Sequence, residues 1–174
     1  GTILDLGSYV ASTFKRGINV VLIPTSLLAM VDASIGGKTG VNLDSSHGYL
    51  KNQIGTFYTP RAIVLNSAWL DSLPERELRS GWAEMVKHAL LKGDDSYLDR
   101  VANLDFNNSV ELEELITESA KFKQSIVDAD PLEIGERSQL NLGHTLAHAL
   151  ETLAEQGELR HGEAVAWGLG FVLE

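Results

Sequence analysis

Ile18-Asn19-Val20-Val21-Leu22-Ile23, closed by Pro24 and followed by Thr25-Ser26, is the stretch on which the fold turns. Its β-branched, nearly continuous apolar run reads as a parallel strand buried on both faces, since a half-exposed strand would alternate. On its amino-terminal side Leu6, Val10 and Phe14 recur at helical spacing up to Lys15, and Gly17 stops that helix with Arg16 at its end. On the other side Thr25 or Ser26 can cap a helix through Val31. Strand, turn, hydroxyl and helix in that order present backbone N–H groups to a phosphate. Arg61-Ala62-Ile63-Val64-Leu65 is a second buried-strand candidate, with a short helix near Trp69 to Leu73 behind it.

Between the two strand candidates lies Asp32-Ala33-Ser34-Ile35-Gly36-Gly37-Lys38-Thr39-Gly40. Asp32 stands where a phosphate loop of the G-x-x-x-x-G-K-[ST] type needs its first glycine, which argues against a nucleoside triphosphatase. The stretch reads equally as a glycine-rich hairpin turn. Asn42 to Tyr49 is polar and reads as a loop, with His47 solvated. At Pro74 the texture changes. From Glu75 onward the pattern is helical, broken by turns near Gly93-Asp94-Asp95, Asn107-Asn108 and Asp130-Pro131. The expected fold class is therefore α/β followed by all-α, with one unit over 1–74 and a helical unit over 75–174.

Composition narrows the partners. In 174 residues, 44% of them hydrophobic, there is material for a real core. Fourteen basic against twenty-four acidic residues give a net charge of -10, which argues against nucleic acid or an anionic membrane as partner. With no cysteine there is no disulfide and no thiolate metal site, and a reducing cytoplasm is the default location. No apolar run approaches the roughly 18 residues of a membrane span, and Gly1-Thr2-Ile3-Leu4-Asp5 has no signal-like character. The absence of an initiator Met, and the end at Glu174 inside an apolar pattern, suggest a piece of a longer protein.

The candidate chemistry sits late in the chain. In Gln139-Leu140-Asn141-Leu142-Gly143-His144-Thr145-Leu146-Ala147-His148 the two histidines are four apart among good helix formers and share a face. With His161-Gly162-Glu163, three of the five histidines fall within eighteen residues, the density of a nitrogen-rich metal centre. The same spacing also suits two surface or capping histidines. Upstream, Glu84 is three residues from Lys87 and four from His88, in a helix that is apolar on most sides. A charge pair there should be enclosed, and enclosed charges need a partner or a function.

Taken in order, Lys15-Arg16-Gly17, Pro24-Thr25, Met30-Val31-Asp32, Gly36-Gly37-Lys38-Thr39-Gly40, Lys51-Asn52, Leu73-Pro74-Glu75-Arg76-Glu77-Leu78, Ala83-Glu84-Met85-Val86-Lys87, Arg137, Leu140-Asn141-Leu142-Gly143-His144-Thr145, His148-Ala149 and His161-Gly162-Glu163-Ala164-Val165-Ala166 resemble the 3-dehydroquinate synthase family of sugar-phosphate cyclases. One such motif would be weak, but the ordered set covers the whole chain. The resemblance implies part of a Rossmann-like NAD domain, then a helical metal domain, in an enzyme of the shikimate pathway about twice this length. Gly1 would then be the last glycine of the family's triple-glycine turn.

By the same resemblance, Glu84, His144 and His161 are ligands of Zn2+ or Co2+, and His148 contacts the substrate phosphate. Gly1, Thr2, Ile3, Leu4, Asp5, Thr25, Ser26, Lys38, Lys51, Trp69, Leu70, Asp71 and Ser72 fall where the family holds NAD. Asp32, Asn52, Lys87, Lys123, Arg137 and Asn141 line the substrate pocket, and Arg16 reaches into a neighbouring subunit of a homodimer. The implied reaction takes 3-deoxy-D-arabino-heptulosonate 7-phosphate to 3-dehydroquinate and phosphate, by hydride transfer to NAD, elimination, hydride return, ring opening and aldol closure. A cleft of Arg16, Lys38, Lys51, Lys87, Lys123 and Arg137 in an acidic protein suits a substrate with a phosphate and a carboxylate.

Three departures stand out. Ser45 to Leu50 occupy the place of a shorter turn, Ser26 replaces a second threonine, and Gln124 replaces an alanine. Competing readings are a cyclase acting on another sugar phosphate, a polyol dehydrogenase of the glycerol dehydrogenase type, and a folded module without turnover. Because the first NAD turn would precede Gly1 and further helices would follow Glu174, the 174 residues alone are expected not to turn over.

Overall fold

A computed structural model describes residues 1–45, 48–154 and 158–174, with side chains for all of these except 44, 45 and 48–51. The first helix, α1 (Thr2–Thr13), starts four residues earlier than the Leu6 periodicity suggests, and a tight turn over Phe14–Arg16 ends it at Gly17. Strand β1 (Val21–Leu22) pairs in parallel with the later β4 (Ala62–Ile63). The parallel pairing follows the expectation, but burial on both faces does not. Leu22 is buried whereas Val21 and Ile23 are half exposed, because among the described residues β1 has a single strand neighbour.

The expected loop over Asn42 to Tyr49 is a second departure. Here β2 (Val41–Ser45) and β3 (Gly48–Ile54) form an antiparallel hairpin with an irregularity between Val41 and Leu43. Val41 and Leu43 carry a period-2 signal too short to stand out against polar neighbours, and the backbone ladder does the rest. Ser45 and Gly48 to Leu50, in place of a shorter turn, are therefore strand. His47 lies outside the described residues.

Ser26 does cap as expected. Its Oγ accepts from Ala29 N at 3.3 Å, and the helical turn it opens widens over Ala29–Ala33. Wide turns of this kind re-aim side chains, and this one buries Met30 and Val31 while turning Asp32 toward the later helices. A tight helix over Ser67–Ser72 then leads to Pro74 and α2 (Glu75–Lys92), which Gly93 closes in the left-handed conformation. Next come α3 (Asp95–Ala102), capped by Asp94, and α4 (Ser109–Ala129), capped by Asn108. A tight turn over Glu136–Asn141 precedes α5 (His144–Leu153) and α6 (His161–Leu173).

Helix α2 is the centre of the molecule. It packs on α3, α4 and α6 and on the widened turn before them, which explains why its sequence is apolar on most sides. The main core joins Leu27, Met30, Val31 and Leu70 to Met85, Ala89, Tyr97, Val101, Leu112, Leu115 and Ile116, so residues on either side of Pro74 share one core. A smaller core of Ala147, Ala164, Val165 and Leu169 fastens α5 to α6. Every described strand lies before residue 64 and every element from Glu75 on is helical. No helix of the described residues is long and apolar enough to cross a membrane.

Candidate metal centre

Glu84 is fully buried in the middle of α2, and one turn on, Lys87 is buried against it as an ion pair. The enclosure expected from the apolar surroundings of this helix is thus found. Two imidazoles meet the carboxylate from other elements. His161, first residue of α6, brings Nε2 to 3.2 Å from Glu84 Oε1, and His144, first residue of α5, brings Nε2 to 3.7 Å from the same oxygen. Gly143, at φ 77°, turns the chain sharply into α5, and His144 Nδ1 is 3.1 Å from Leu142 O. His161 Nδ1 lies 3.4 Å from Glu151 Oε1. Both rings therefore have Nδ1 engaged and Nε2 turned toward one point.

One donor atom from each of Glu84, His144 and His161 lies within 4.8 Å of the others, a spacing that could hold a metal ion. A carboxylate and two imidazoles suit zinc or a similar divalent ion and leave coordination positions open. Glu84 Oε2 is buried against Lys87 with no aligned hydrogen bond, as suits a carboxylate with capacity to spare. Burial and the Asp32 charge push the Glu84 carboxyl up, but Lys87 and His161 outweigh them and hold it at about 2. Burial pushes His161 down, yet Glu151 and Glu84 raise it to about 9. For His144 burial and Lys87 win, and its pKa is lowered.

A second pair, its lysine buried and its carboxylate partly exposed, stands beside the first. Lys123 of α4 donates to Asp32 Oδ1 at 2.5 Å and to Asp32 O at 2.7 Å. Burial alone would raise the Asp32 carboxyl, but Lys123 and Lys87 keep it well below the usual range. His88 completes the cluster, its Nδ1 2.7 Å from Ser119 Oγ, and burial lowers its pKa to about 3. Asp32, Glu84 and His88 also lie close enough to hold an ion. The two lysines salted into that trio make it the poorer cation site.

The remaining expected residues divide. Arg137 is buried, but its fork is committed to Gly36 O at 2.9 Å and Pro131 O at 2.7 Å, so here it ties the glycine turn to the later helices. Gly36 sits at φ 104° with Arg137 filling the space a Cβ would need. Glu133 gathers Lys38, as an ion pair, and Asn141, whose Nδ2 donates at 2.9 Å. His148 is exposed one turn beyond His144, with the two rings edge to face at 5.5 Å. Asn52 lies on β3 with its backbone N donating to Asn42 Oδ1, and the side chain of Lys51 lies outside the described residues. Gly1, Thr2, Ile3, Leu4 and Asp5 open α1, with Leu4, Asp5 and Lys38 lining a narrow cleft between that helix and the glycine turn.

Among the described residues, no bond or ion pair joins Thr25, Trp69, Asp71, Ser72 or the exposed Arg16 to the charged cluster. Leu70 is placed in the core. It is 4% exposed and part of the main core, because the tight helix over Ser67–Ser72 turns it inward. A broad surface hollow lined by Lys92, Arg100, Glu114, Glu118 and Lys121 contains none of these residues, and Lys92 and Arg100 there are already paired. Gln124 is an exposed α4 residue bonded to Asp128 at 2.7 Å.

Sequence reading missed Glu151 and the partners of Glu163. Glu151 is two helical turns after His144, so its place on the histidine face was legible from spacing. The fork of Arg76 grips Glu163 at 2.6 and 2.7 Å, joining residues 87 apart that no local pattern connects. Arg76 bonding, with Arg160 behind it, lowers the Glu163 carboxyl to about 2. A carboxyl depressed in the folded state stabilises above its unfolded pKa and loses that contribution as pH falls through its folded pKa. Glu163→Gln is accordingly expected to cost about 1 kcal/mol at neutral pH, discounted for solvent exposure, and less as pH falls from about 5 to about 2.5. Urea midpoints across that range measure it.

Comparison with known proteins places this geometry. The family pattern for the 3-dehydroquinate synthase N-terminal region matches residues 1–80, and that for the C-terminal region matches residues 81–174. A 3-dehydroquinate synthase of Legionella pneumophila (strain Lens) is 49% identical over 97% of this chain and 46% of its own length. One from Crocosphaera subtropica is 47% identical over 97% of this chain and 47% of its own. A bifunctional 3-dehydroquinate synthase/phosphatase of Fusobacterium nucleatum is 45% identical over 100% of this chain and 26% of its own. The chain spans about half or less of the length of these relatives.

Solved structures agree. A 2-deoxy-scyllo-inosose synthase superposes with TM-score 0.81 at 32% identity, over 97% of this chain and 46% of the other. The 2-epi-5-epi-valiolone synthase ValA of Streptomyces hygroscopicus, with NAD+ and Zn2+ bound, superposes with TM-score 0.74 at 28% identity, over 95% and 46%. A 2-deoxy-scyllo-inosose synthase complexed with carbaglucose-6-phosphate, NAD+ and Co2+ gives 0.79 at 31%, over 95% and 44%. The chain belongs to the 3-dehydroquinate synthase family.

Proposed function

We propose that the polypeptide carrying these residues is a 3-dehydroquinate synthase, a phosphate-eliminating lyase converting 3-deoxy-D-arabino-heptulosonate 7-phosphate to 3-dehydroquinate. The observation that carries the reading is the meeting of Glu84, His144 and His161 beside two carboxylate–lysine pairs, Glu84–Lys87 fully buried and Asp32–Lys123 largely so. The 45–49% identity to 3-dehydroquinate synthases favours this substrate over those of the cyclases matched at 28–32%.

On this reading Glu84, His144 and His161 hold zinc or cobalt, the ions named for two structural neighbours that also bind NAD. When bound, the metal supplies Lewis acidity toward a substrate hydroxyl, and NAD supplies the hydride acceptor. Lys87 and Lys123 orient an anionic substrate by charge, and the neighbouring Asp32 keeps Lys123 in place. Asn52, Arg137, Asn141 and His148 line the same pocket. NAD is held in a Rossmann-like unit over 1–74, by Gly1 to Asp5, Thr25, Ser26, Lys38, Lys51, Trp69, Asp71 and Ser72, with Leu70 offering backbone only. The helical unit over 75–174 holds metal and substrate. Arg16, exposed at the end of α1, serves a neighbouring subunit in a homodimer, and the enzyme works in the cytoplasm.

The test is phosphate release from the heptulosonate phosphate by that polypeptide with NAD and zinc. Release that needs both cofactors is expected. Activity on glucose 6-phosphate but not on the heptulosonate would overturn the substrate assignment.

A further inference from the structure

We propose that Glu151 is a positioning residue of the metal centre, fixing the ring of His161 so that Nε2 is the atom offered to the ion. The inference rests on the reading that Glu84, His144 and His161 hold a metal. Glu151 lies in the last turns of α5 with its side chain 7% exposed, and its Oε1 is 3.4 Å from His161 Nδ1. An ionised carboxylate can only accept, so Nδ1–H donates to Glu151, and Nε2, 3.2 Å from Glu84 Oε1, is the nitrogen whose proton an arriving ion would replace.

The two histidines are held differently. His144 Nδ1 faces the backbone carbonyl of Leu142, which no side-chain change removes. His161 is fixed by a side chain on another helix, so the orientation of this ligand depends on one residue outside the ligand set. Partners of this kind raise ligand basicity and restrict the ring to one orientation. Glu163, next but one to His161, cannot perform that task. Its carboxylate is held by Arg76 and the backbone N of Arg160, and it fixes the start of α6 rather than the ring.

Zinc dissociation constants, measured by competition with a chromophoric chelator, test the proposal with the parent chain, Glu151→Met, Glu151→Gln and His161→Ala. Met keeps the volume and removes the acceptor, whereas Gln keeps an acceptor oxygen. Glu151→Met is expected to weaken zinc binding about 10- to 100-fold and Glu151→Gln distinctly less. A purely packing role would let Met serve at least as well as Gln. Binding by Glu151→Met within about two-fold of the parent, while His161→Ala loses binding, would overturn the role of Glu151 alone. Equal binding by the parent and His161→Ala would instead overturn the metal reading beneath it. Should Glu151→Met not fold, the 15N spectrum of the zinc-loaded parent decides. Nε2-bound metal with a protonated Nδ1 is expected for His161, and Nδ1-bound metal would contradict the proposal.

Discussion

Glu84→Ala is expected to remove stoichiometric zinc binding and to destabilise the fold by about 3–5 kcal/mol at the same time. The two losses share one cause. Glu84 is the carboxylate toward which both imidazoles turn, and it is also the counter-ion of Lys87, which is 1% exposed. Removing it leaves an ammonium ion buried with its partner gone. The double change Glu84→Leu with Lys87→Met separates the effects, since a buried pair replaced by apolar residues of similar volume is often neutral or stabilising. Zinc binding should stay lost in the double variant while the urea midpoint recovers. A single Glu84→Ala variant as stable as the parent would show that Lys87 finds another partner, and would refute the enclosure argument.

Gly162→Ala should be the most damaging single-methyl change near the site. A Cβ there would lie 1.9 Å from Ser80 O, and the Gly162 amide already donates to Ser80 Oγ at 3.0 Å. The obstruction is backbone, so α6 and α2 must part, at a cost of about 3 kcal/mol, the upper end for overpacking. His161 moves with the shifted helix, so zinc affinity should fall together with stability. Gly170→Ala on the same helix is the control. Nothing lies within 4 Å of its Cβ position, and alanine's helix preference should stabilise by up to about 1 kcal/mol. Equal midpoints for the two variants would contradict the close approach of the helices.

The contrast between these glycines marks the limit of sequence reading. Gly162 and Gly170 are alike as letters, and only the approach of α2 from 82 residues away makes one indispensable. What was legible was local: the strand pair, the helical texture after Pro74, the turns near Asp94 and Asn108, and the shared face of His144 and His148. The enclosure of Glu84 with Lys87 was legible too, because an apolar helix surface on most sides leaves a charge pair nowhere to go. Burial of the Ile18 to Ile23 run was misjudged, because an apolar composition records what a strand can bury and not how many neighbours flank it. The hairpin over Val41–Ile54 was missed because two polar strands are held by their ladder rather than by a hydrophobic pattern. Residue spacing brings His148 to the notice first. The group that could hold an ion contains His161 instead, as tertiary packing sets α6 against Glu84 and leaves His148 exposed.

X-ray absorption at the zinc edge of the metal-loaded chain tests the central claim most directly. The account requires one ion with nitrogen and oxygen neighbours at about 2.0–2.2 Å, outer-shell scattering from two imidazoles, and loss of one imidazole in His161→Ala but of none in His148→Ala. Three imidazoles in the parent, or loss of one on changing His148 rather than His161, would contradict it.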